Sequence, residues 1–477
     1  MSESTSVKNT NRPACLKRGP GWLMFAICLI GTFSASYAHG ALNVLLPGIS
    51  AELAINTSLI VIINIAVSLV SAVLTLPFGR LGDRIGYQHL FIWGQVVLIG
   101  GTLLSGLLSL NFVMLLAFRC LIAVGTAMVQ SVVQAMLTQA YPGKRGRMMG
   151  LYSMSISYSG AASPLISAAI SDGSSWRMSI LFGVIFSVLA LILGIIFLGR
   201  FECKPNKADH KGTILLVITL SSLLMALNAR TITMPIYVII GLVVVFVIAF
   251  ILFVRNENRV DAPLLNLKLL KDRKFTLGFV GCLLAYMIST GTNTALPFFI
   301  QNIKGETATV SSLCTIWFTV VMGTFGPFTG GWCDKKGPFR FMLPASIIQC
   351  AVIAVYSFMN EGTPLWMVVA CVVCFGIGGG LFYAPITSMV MGSVPPSSGG
   401  VASGMLSTSR NLGAAFGATI FSICTGLFNG RTDMTPNQQY LSGQRIDMII
   451  MVAIALVNIL IMAFLFIKNR KNPVVNN

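Results

Sequence analysis

Two octapeptides, Gly79-Arg80-Leu81-Gly82-Asp83-Arg84-Ile85-Gly86 and Gly330-Gly331-Trp332-Cys333-Asp334-Lys335-Lys336-Gly337, share the pattern G-x-x-x-D-[RK]-x-G. Each lies between two long apolar runs. A short polar loop repeated at corresponding places in two halves points to a membrane protein made of two matching bundles with parallel topology. The glycines permit a tight turn between helix ends. Asp83 can accept hydrogen bonds from helix N-terminal amides, or pair with an arginine across the loop. Such a bond, made in one state and broken in another, is a conformational latch. Asp334, its echo, is a candidate for the same role, with Gly79, Arg84 and Gly86 as the framework. The plainer alternative for both is a solvated loop charge.

Composition agrees with a membrane setting. Of 477 residues, 55% are hydrophobic and 10% are charged, against roughly 25% charged in a soluble chain. A water-soluble enzyme and a disordered protein are excluded. Apolar segments fall at about 22–46, 57–78, 90–110, 112–140, 149–171, 176–199, 212–229, 233–254, 275–301, 308–332, 341–358, 365–391, 399–428 and 446–467. A spanning helix needs about 20 such residues, so the expected fold is all-α, a polytopic membrane protein with fourteen transmembrane helices. The first segment is too long for a signal-peptide core.

The expected organisation is a cytoplasmic tail over 1–21 and a six-helix bundle over 22–199. Two extra spans with basic cytoplasmic loops occupy 200–274, a second six-helix bundle 275–467, and a cytoplasmic tail 468–477. Within 262–270, apolar residues flanked by lysine predict a short amphipathic helix along the membrane surface.

The net charge of +18 raises the question of nucleic acid. On this map, 25 of the 32 Lys and Arg are cytoplasmic, five are outer and two, Arg119 and Arg410, lie within spans. The inner side carries about +17 and the outer side about −1. That is the positive-inside bias of a multi-pass protein, and no nucleic-acid partner is required. The eleven cysteines are scattered, and Cys371-x-x-Cys374 lies inside a span. Neither a disulfide framework nor a metal site is implied. No G-x-x-x-x-G-K-[ST] occurs, so no nucleotide cofactor is expected. The energy source should be an ion gradient, at ~2.3 kcal/mol per charge crossing 100 mV.

Several motifs resemble the major facilitator superfamily, and within it the fourteen-span drug:proton antiporters. The octapeptide at 79–86 is similar to the signature between spans 2 and 3. Leu115-x-x-x-Arg119-x-x-x-x-x-Gly125 is similar to the span 4 signature, and Pro297-Phe298-Phe299-Ile300-Gln301-x-x-x-Gly305 to the end of span 9. Arg410-Asn411-Leu412-Gly413 with Gly417 resembles span 13. Two stretches depart from the family. Ser163-Pro164 stands where Gly-Pro is expected, and Ser167-Ala168 where a glycine pair is common. Ala38 stands where many members carry an aspartate in span 1.

The resemblance implies proton-driven efflux of amphipathic drugs or metabolites by alternating access, and with it antibiotic resistance. It implies a monomer in the bacterial cytoplasmic (inner) membrane. Its partners would be a small-molecule substrate, protons and membrane lipid.

Polar residues within spans supply the candidate site. Arg119 lies ~10 Å deep from the outer end of span 4. A charge there is costly and usually faces a cavity. It is either a substrate or proton-coupling residue or a structural arginine satisfied by carbonyls. His39 lies at similar depth in span 1, with Asn43 one turn beyond. It can titrate near neutral pH, or it is simply packed. Arg410, near mid-membrane, either meets an anionic substrate group or ties spans together. Tyr158, Tyr286, Asn293, Trp317 and Tyr383 suit a polyspecific pocket, although each alone also reads as ordinary packing.

All fourteen acidic residues, Asp447 included, fall in tails, loops or span ends on this map. A cation exporter normally places a carboxylate deep in the membrane. Its absence tilts the substrate towards neutral, amphipathic or anionic molecules. It also leaves His39, or a carboxylate at a helix end, as the proton carrier. The second reading is therefore a transporter of an organic anion or lipid-like amphiphile without proton antiport. A membrane enzyme would need clustered polar residues at one depth, and none is legible.

Overall fold

The computed structural model describes residues 22–40, 45, 49, 52, 57–201, 209–229, 234–260, 272–395, 398–428 and 435–471. Asn43 and the stretch 262–270 lie outside these. Among the described residues the chain forms fourteen α-helices. The first six are α1 (Trp22–Gly40), α2 (Thr57–Ile85), α3 (Tyr87–Leu107), α4 (Phe112–Ala140), α5 (Arg145–Gly173) and α6 (Trp176–Phe197). A pair follows, α7 (His210–Asn228) and α8 (Ile236–Glu257). The last six are α9 (Arg273–Phe298), α10 (Ala308–Lys336), α11 (Phe339–Ser357), α12 (Leu365–Gly392), α13 (Gly399–Gly426) and α14 (Pro436–Lys471).

Ten of the fourteen are long and apolar enough to cross a membrane. The others are α1, α2, α5 and α13. For α5 and α13 the reason is local composition. Serine recurs along α5 at 153, 155, 157, 159, 163, 167 and 171, and glycine and serine recur along α13. Such residues suit helix–helix contact rather than lipid. Ser155, Ser159 and Ser163 donate to the carbonyls of Leu29, Phe33 and Tyr37 on α1, at 2.9, 2.9 and 3.0 Å. The spacing of four residues on both helices keeps the ladder in step.

Helix starts follow local chemistry. Asn111, Ser175, Asp209, Asp272 and Thr307 each accept a backbone N–H at the start of α4, α6, α7, α9 and α10, which satisfies a donor the helix cannot. Two boundaries differ from the sequence expectation. The motif loops are largely helix: α2 runs to Ile85 and α10 to Lys336. The chain turns only at Gly86 (φ +94°) and Gly337 (φ +81°), in the region open to glycine. The last helix begins at Pro436, well before its apolar stretch, since proline at the first helical position loses no hydrogen bond.

Helices α1–α6 pack on one another, as do α9–α14. Besides α4 with α13 and α5 with α12, the groups are joined most extensively by two pairs, α2 with α13 and α5 with α10. Both are tight glycine crossings. A Cβ at Gly400 would overlap the Gly79 carbonyl, and one at Gly150 would overlap that of Gly326. Gly146 and Gly330 stand in the same relation. The pair α7–α8 lies beside the seam, with α7 against α2 and α13 and α8 on α7. Ile240, Val244, Val247, Ile248 and Ile251 leave α8 with an exposed apolar face. The end where α2 and α10 stop carries Arg80, Arg84, Lys335 and Lys336 and is termed the basic face below.

Gly400→Val should therefore oppose packing of α2 on α13, at a cost of about 1–3 kcal/mol for overpacking. Spin labels placed across the basic face should report longer distances. Unchanged distances would show that the crossing has slack.

Candidate substrate-binding site

At the basic face the two motifs do the same thing. Asp83 on α2 accepts hydrogen bonds from Gly400 N (2.8 Å) and Val401 N (3.0 Å), the first amides of α13. Asp334 on α10 accepts from Gly146 N (2.6 Å) and Arg147 N (2.9 Å), the first amides of α5. Each carboxylate thus sits at the N-terminus of a helix in the other group, where free N–H groups and the helix dipole favour negative charge. Tyr87 adds a 2.7 Å bond to Asp83. Arg84, half-buried in the last turn of α2, takes no part. With both contacts made, the groups are closed together at this face.

Asp83 lies beyond the apolar part of α2. Burial pushes its carboxyl up to about 6, although Tyr87, the two amides and Arg80 favour the ionised form. If this face opens, the carboxyl meets water and falls back towards its ordinary value of 3.8. The packed form then binds the proton more tightly, so lowering the pH from about 6 towards 4 should favour closure. Above about 6 that contribution is absent. Spin-label distances across the basic face should tighten over this range in the native chain and lose the trend in Asp83→Asn.

Towards the opposite face the groups part around a cavity of about 580 Å³. It is lined by the halves of α5, α9 and α10 remote from the basic face, with Tyr383 of α12. Ser289, Thr290, Asn293 and Thr294 line it from α9, and Ser312, Thr315 and Thr319 from α10. Tyr286, Phe318, Ile316, Met322 and Pro164 supply apolar surface. Among the described residues, no charged side chain lines it. Its floor is the Tyr286–Tyr383 pair, with ring centroids 4.5 Å apart. These two, with Met322, also roof a small chamber of about 30 Å³ containing Arg410, Gln134 and Tyr152. Such a space suits about one water.

Of the residues singled out in the sequence, Tyr286, Asn293 and Tyr383 meet at the large cavity. Arg410 lies just beneath, where its Nη2 donates to Gln130 Oε1 of α4 at 2.9 Å and bridges the groups. Tyr158 also bridges them, through Thr324 Oγ1 at 2.9 Å, and does not line the cavity. Trp317 points outward, 48% exposed, while its neighbours Ile316 and Phe318 point in. His39 is the penultimate residue of α1, and its side chain lies outside the described residues. Arg119 is buried away from the cavity, and its Nη1 donates to the Ala38 carbonyl at 3.1 Å. Among the described residues its Nε and Nη2 find no partner.

Two features were missed. The hydroxyl lining had a legible signal: polar residues at 289, 290, 293 and 294, and at 312, 315 and 319, follow helical spacing in apolar segments. The other is Asp447, assigned to a span end by position but fully buried within α14.

Arg119→Ala should leave the Ala38 carbonyl unpaired, at a cost of about 1–3 kcal/mol. We expect a lower Tm with little change in substrate Kd. A large Kd change at unchanged Tm would make Arg119 a substrate contact instead.

The sequence matches the Major Facilitator Superfamily over residues 28–418 and again over 278–477. It is 26% identical to the riboflavin transporter RibZ of Clostridioides difficile (strain 630) over 404 residues, 84% of this chain and 87% of that one. It is 26% identical to the multidrug export protein EmrB of Escherichia coli (strain K12) over 422 residues, 85% of this chain and 80% of that one. The fold is similar to the crystal structure of the human organic anion transporter MFSD10, with TM-score 0.70 and 14% identity over 93% of this chain and all of that one. The chain is a member of the Major Facilitator Superfamily, a multi-pass membrane transporter with multidrug exporters among its relatives.

Proposed function

We propose that this protein exports neutral amphipathic drugs or metabolites across a bacterial inner membrane, driven by proton entry. It works as a monomer with fourteen spans and both termini in the cytoplasm. The observation that carries the reading is the cavity: large, without a charged side chain among the described residues that line it, aromatic at its floor and hydroxyl-lined on two helices. Apolar and aromatic walls hold varied ring systems, and scattered hydroxyls can donate or accept. Charged substrates would lack compensation there. The likeness to a riboflavin transporter and to a multidrug exporter supports the same substrate class.

In this reading the basic face is cytoplasmic and the structure is the outward-open state. Asp83 and Asp334 are the latches that hold the inner side shut, with Gly79 and Gly86 as their framework. Tyr286 and Asn293 contact substrate. Arg410 and Tyr158 form the central closure through Gln130 and Thr324. Return to the inward state breaks the two latches and parts the glycine crossings, while the cavity closes above the substrate. The serine ladder makes α1 travel with α5.

Arg410 favours one alternative. Its charge lies beneath the cavity floor and, among the described residues, pairs with an amide and not a carboxylate. An organic anion that parts the tyrosine pair would reach it, without proton antiport. Proteoliposomes with an acidic interior separate the readings. We expect uptake of riboflavin, a neutral probe, above empty liposomes, and its loss when an ionophore collapses the gradient. Uptake of an anionic dye alone, indifferent to the gradient, would establish the alternative. Gradient-driven uptake of a cationic dye alone would contradict both.

A further inference from the structure

The last helix carries polar groups that the cavity does not use. Most of α14 is apolar, yet Gln444, Asp447 and Asn458 are 3%, 0% and 1% exposed. Steps of three and eleven residues put them on one helical face. That face looks into the second helix group. One turn before Asp447, a Cβ at Gly443 would press on Cys424 and Thr425 of α13. One turn after it, Met451 packs on Gly291 of α9, and Asn458 Oδ1 lies 3.3 Å from the Cβ position of Gly281 on α9. At the end away from the basic face, Tyr440 donates to the Ala295 carbonyl of α9 at 2.8 Å.

Neither carboxyl oxygen of Asp447 has a hydrogen-bond partner among the described residues. The same holds for Gln444 Oε1 and for both polar atoms of the Asn458 side chain. An ionised carboxylate buried without partners is costly, whereas the protonated acid is a modestly polar group that can donate. Among the described residues, the surroundings supply no cation. The titratable groups that feel its charge are Tyr440 on its own helix and Cys424 on α13. Tyr356 of α11 belongs to the same core. The basic residues of the helices packed on α14 are Arg273, Lys274 and Arg340, near the basic face, and Arg410, mid-helix. Arg445, two residues away, is exposed.

We propose that Asp447 is the proton-binding group of this transporter, reached from the outer face past Tyr440 and Gln444 and separate from the substrate cavity. The proposal rests on the proton-coupled reading above. An Asp447 oxygen takes its proton from water on the outer side and returns it to water on the basic side, so no other reactant is needed. Ionisation requires water or a polar partner at the α9–α13–α14 contact, and protonation lets that contact close dry. Helix α9 links the sites: one face lines the cavity with Tyr286, Asn293 and Thr294, and another packs on α14 through Gly291 and Ala295. A change at Asp447 therefore moves a wall of the cavity without the proton and substrate sharing a pocket.

The test uses full-length protein in proteoliposomes, as native chain, Asp447→Asn and Asp447→Glu. Riboflavin is the transport probe, and infrared difference spectra across pH are the second readout. We expect the native chain to show, besides the band that Asp83 contributes around pH 6, a second carbonyl band of a protonated carboxylic acid that vanishes on alkalinisation, and Asp447→Asn to lack that second band alone. Asp447→Asn should lose gradient-driven accumulation yet keep riboflavin exchange at equal pH, and Asp447→Glu should recover accumulation.

Accumulation intact in both the native chain and Asp447→Asn overturns the assignment and leaves the proton-coupled reading standing. A native chain that exchanges riboflavin but never responds to the gradient overturns both. If Asp447→Asn does not fold, the infrared titration of the native chain and of Asp447→Glu decides: a titrating carbonyl band that shifts with the added methylene supports the assignment, and no such shift overturns it.

Discussion

A carboxylate set at the N-terminus of a helix in the opposite group is the interaction on which the arrangement depends. Asp83 does this for α13 and Asp334 for α5. Each bond satisfies backbone amides that have no partner within their own helix and places negative charge at the positive end of a helix dipole. Neither bond forms unless the backbones come close. That requirement explains the glycines at 79 and 400, and at 146 and 330, where any Cβ would overlap a carbonyl oxygen. It also explains the left-handed backbone at Gly86 and Gly337, which turns the chain directly after the carboxylate.

Because the groups are held together at the basic face, they can part only at the other. The cavity opens there, between α5 and the halves of α9 and α10 remote from the basic face. Its lining and its surroundings divide the chemistry. Hydroxyls, an amide and aromatic rings face the open volume, while the buried charged residues among those described lie elsewhere. Arg410 is under the floor, Arg119 is against α1, and Asp447 is within the last helix. A cavity without fixed charge can accept varied neutral molecules, since none must compensate a buried ion. Charged residues placed around it can still bias its shape through the helices they share with it.

Much of this was legible in the sequence. Apolar runs and the charges between them determined the all-helical class, the order of the helices and the side that carries the basic residues. Those are local consequences of a chain that must satisfy its backbone inside hydrocarbon. The repeated octapeptide determined that two segments are equivalent, because equivalent turns need glycine and a carboxylate at the same spacing. Tertiary structure decided the partners. Asp83 and Gly400 lie 317 residues apart, and no local signal joins them. It also decided direction: Trp317 faces outward between two neighbours that face in, because rotation about the helix axis is set by packing. Asp447 makes the same point. Position along the chain put it at a span end, but burial depends on which helices cover that face, and α9, α11 and α13 cover it.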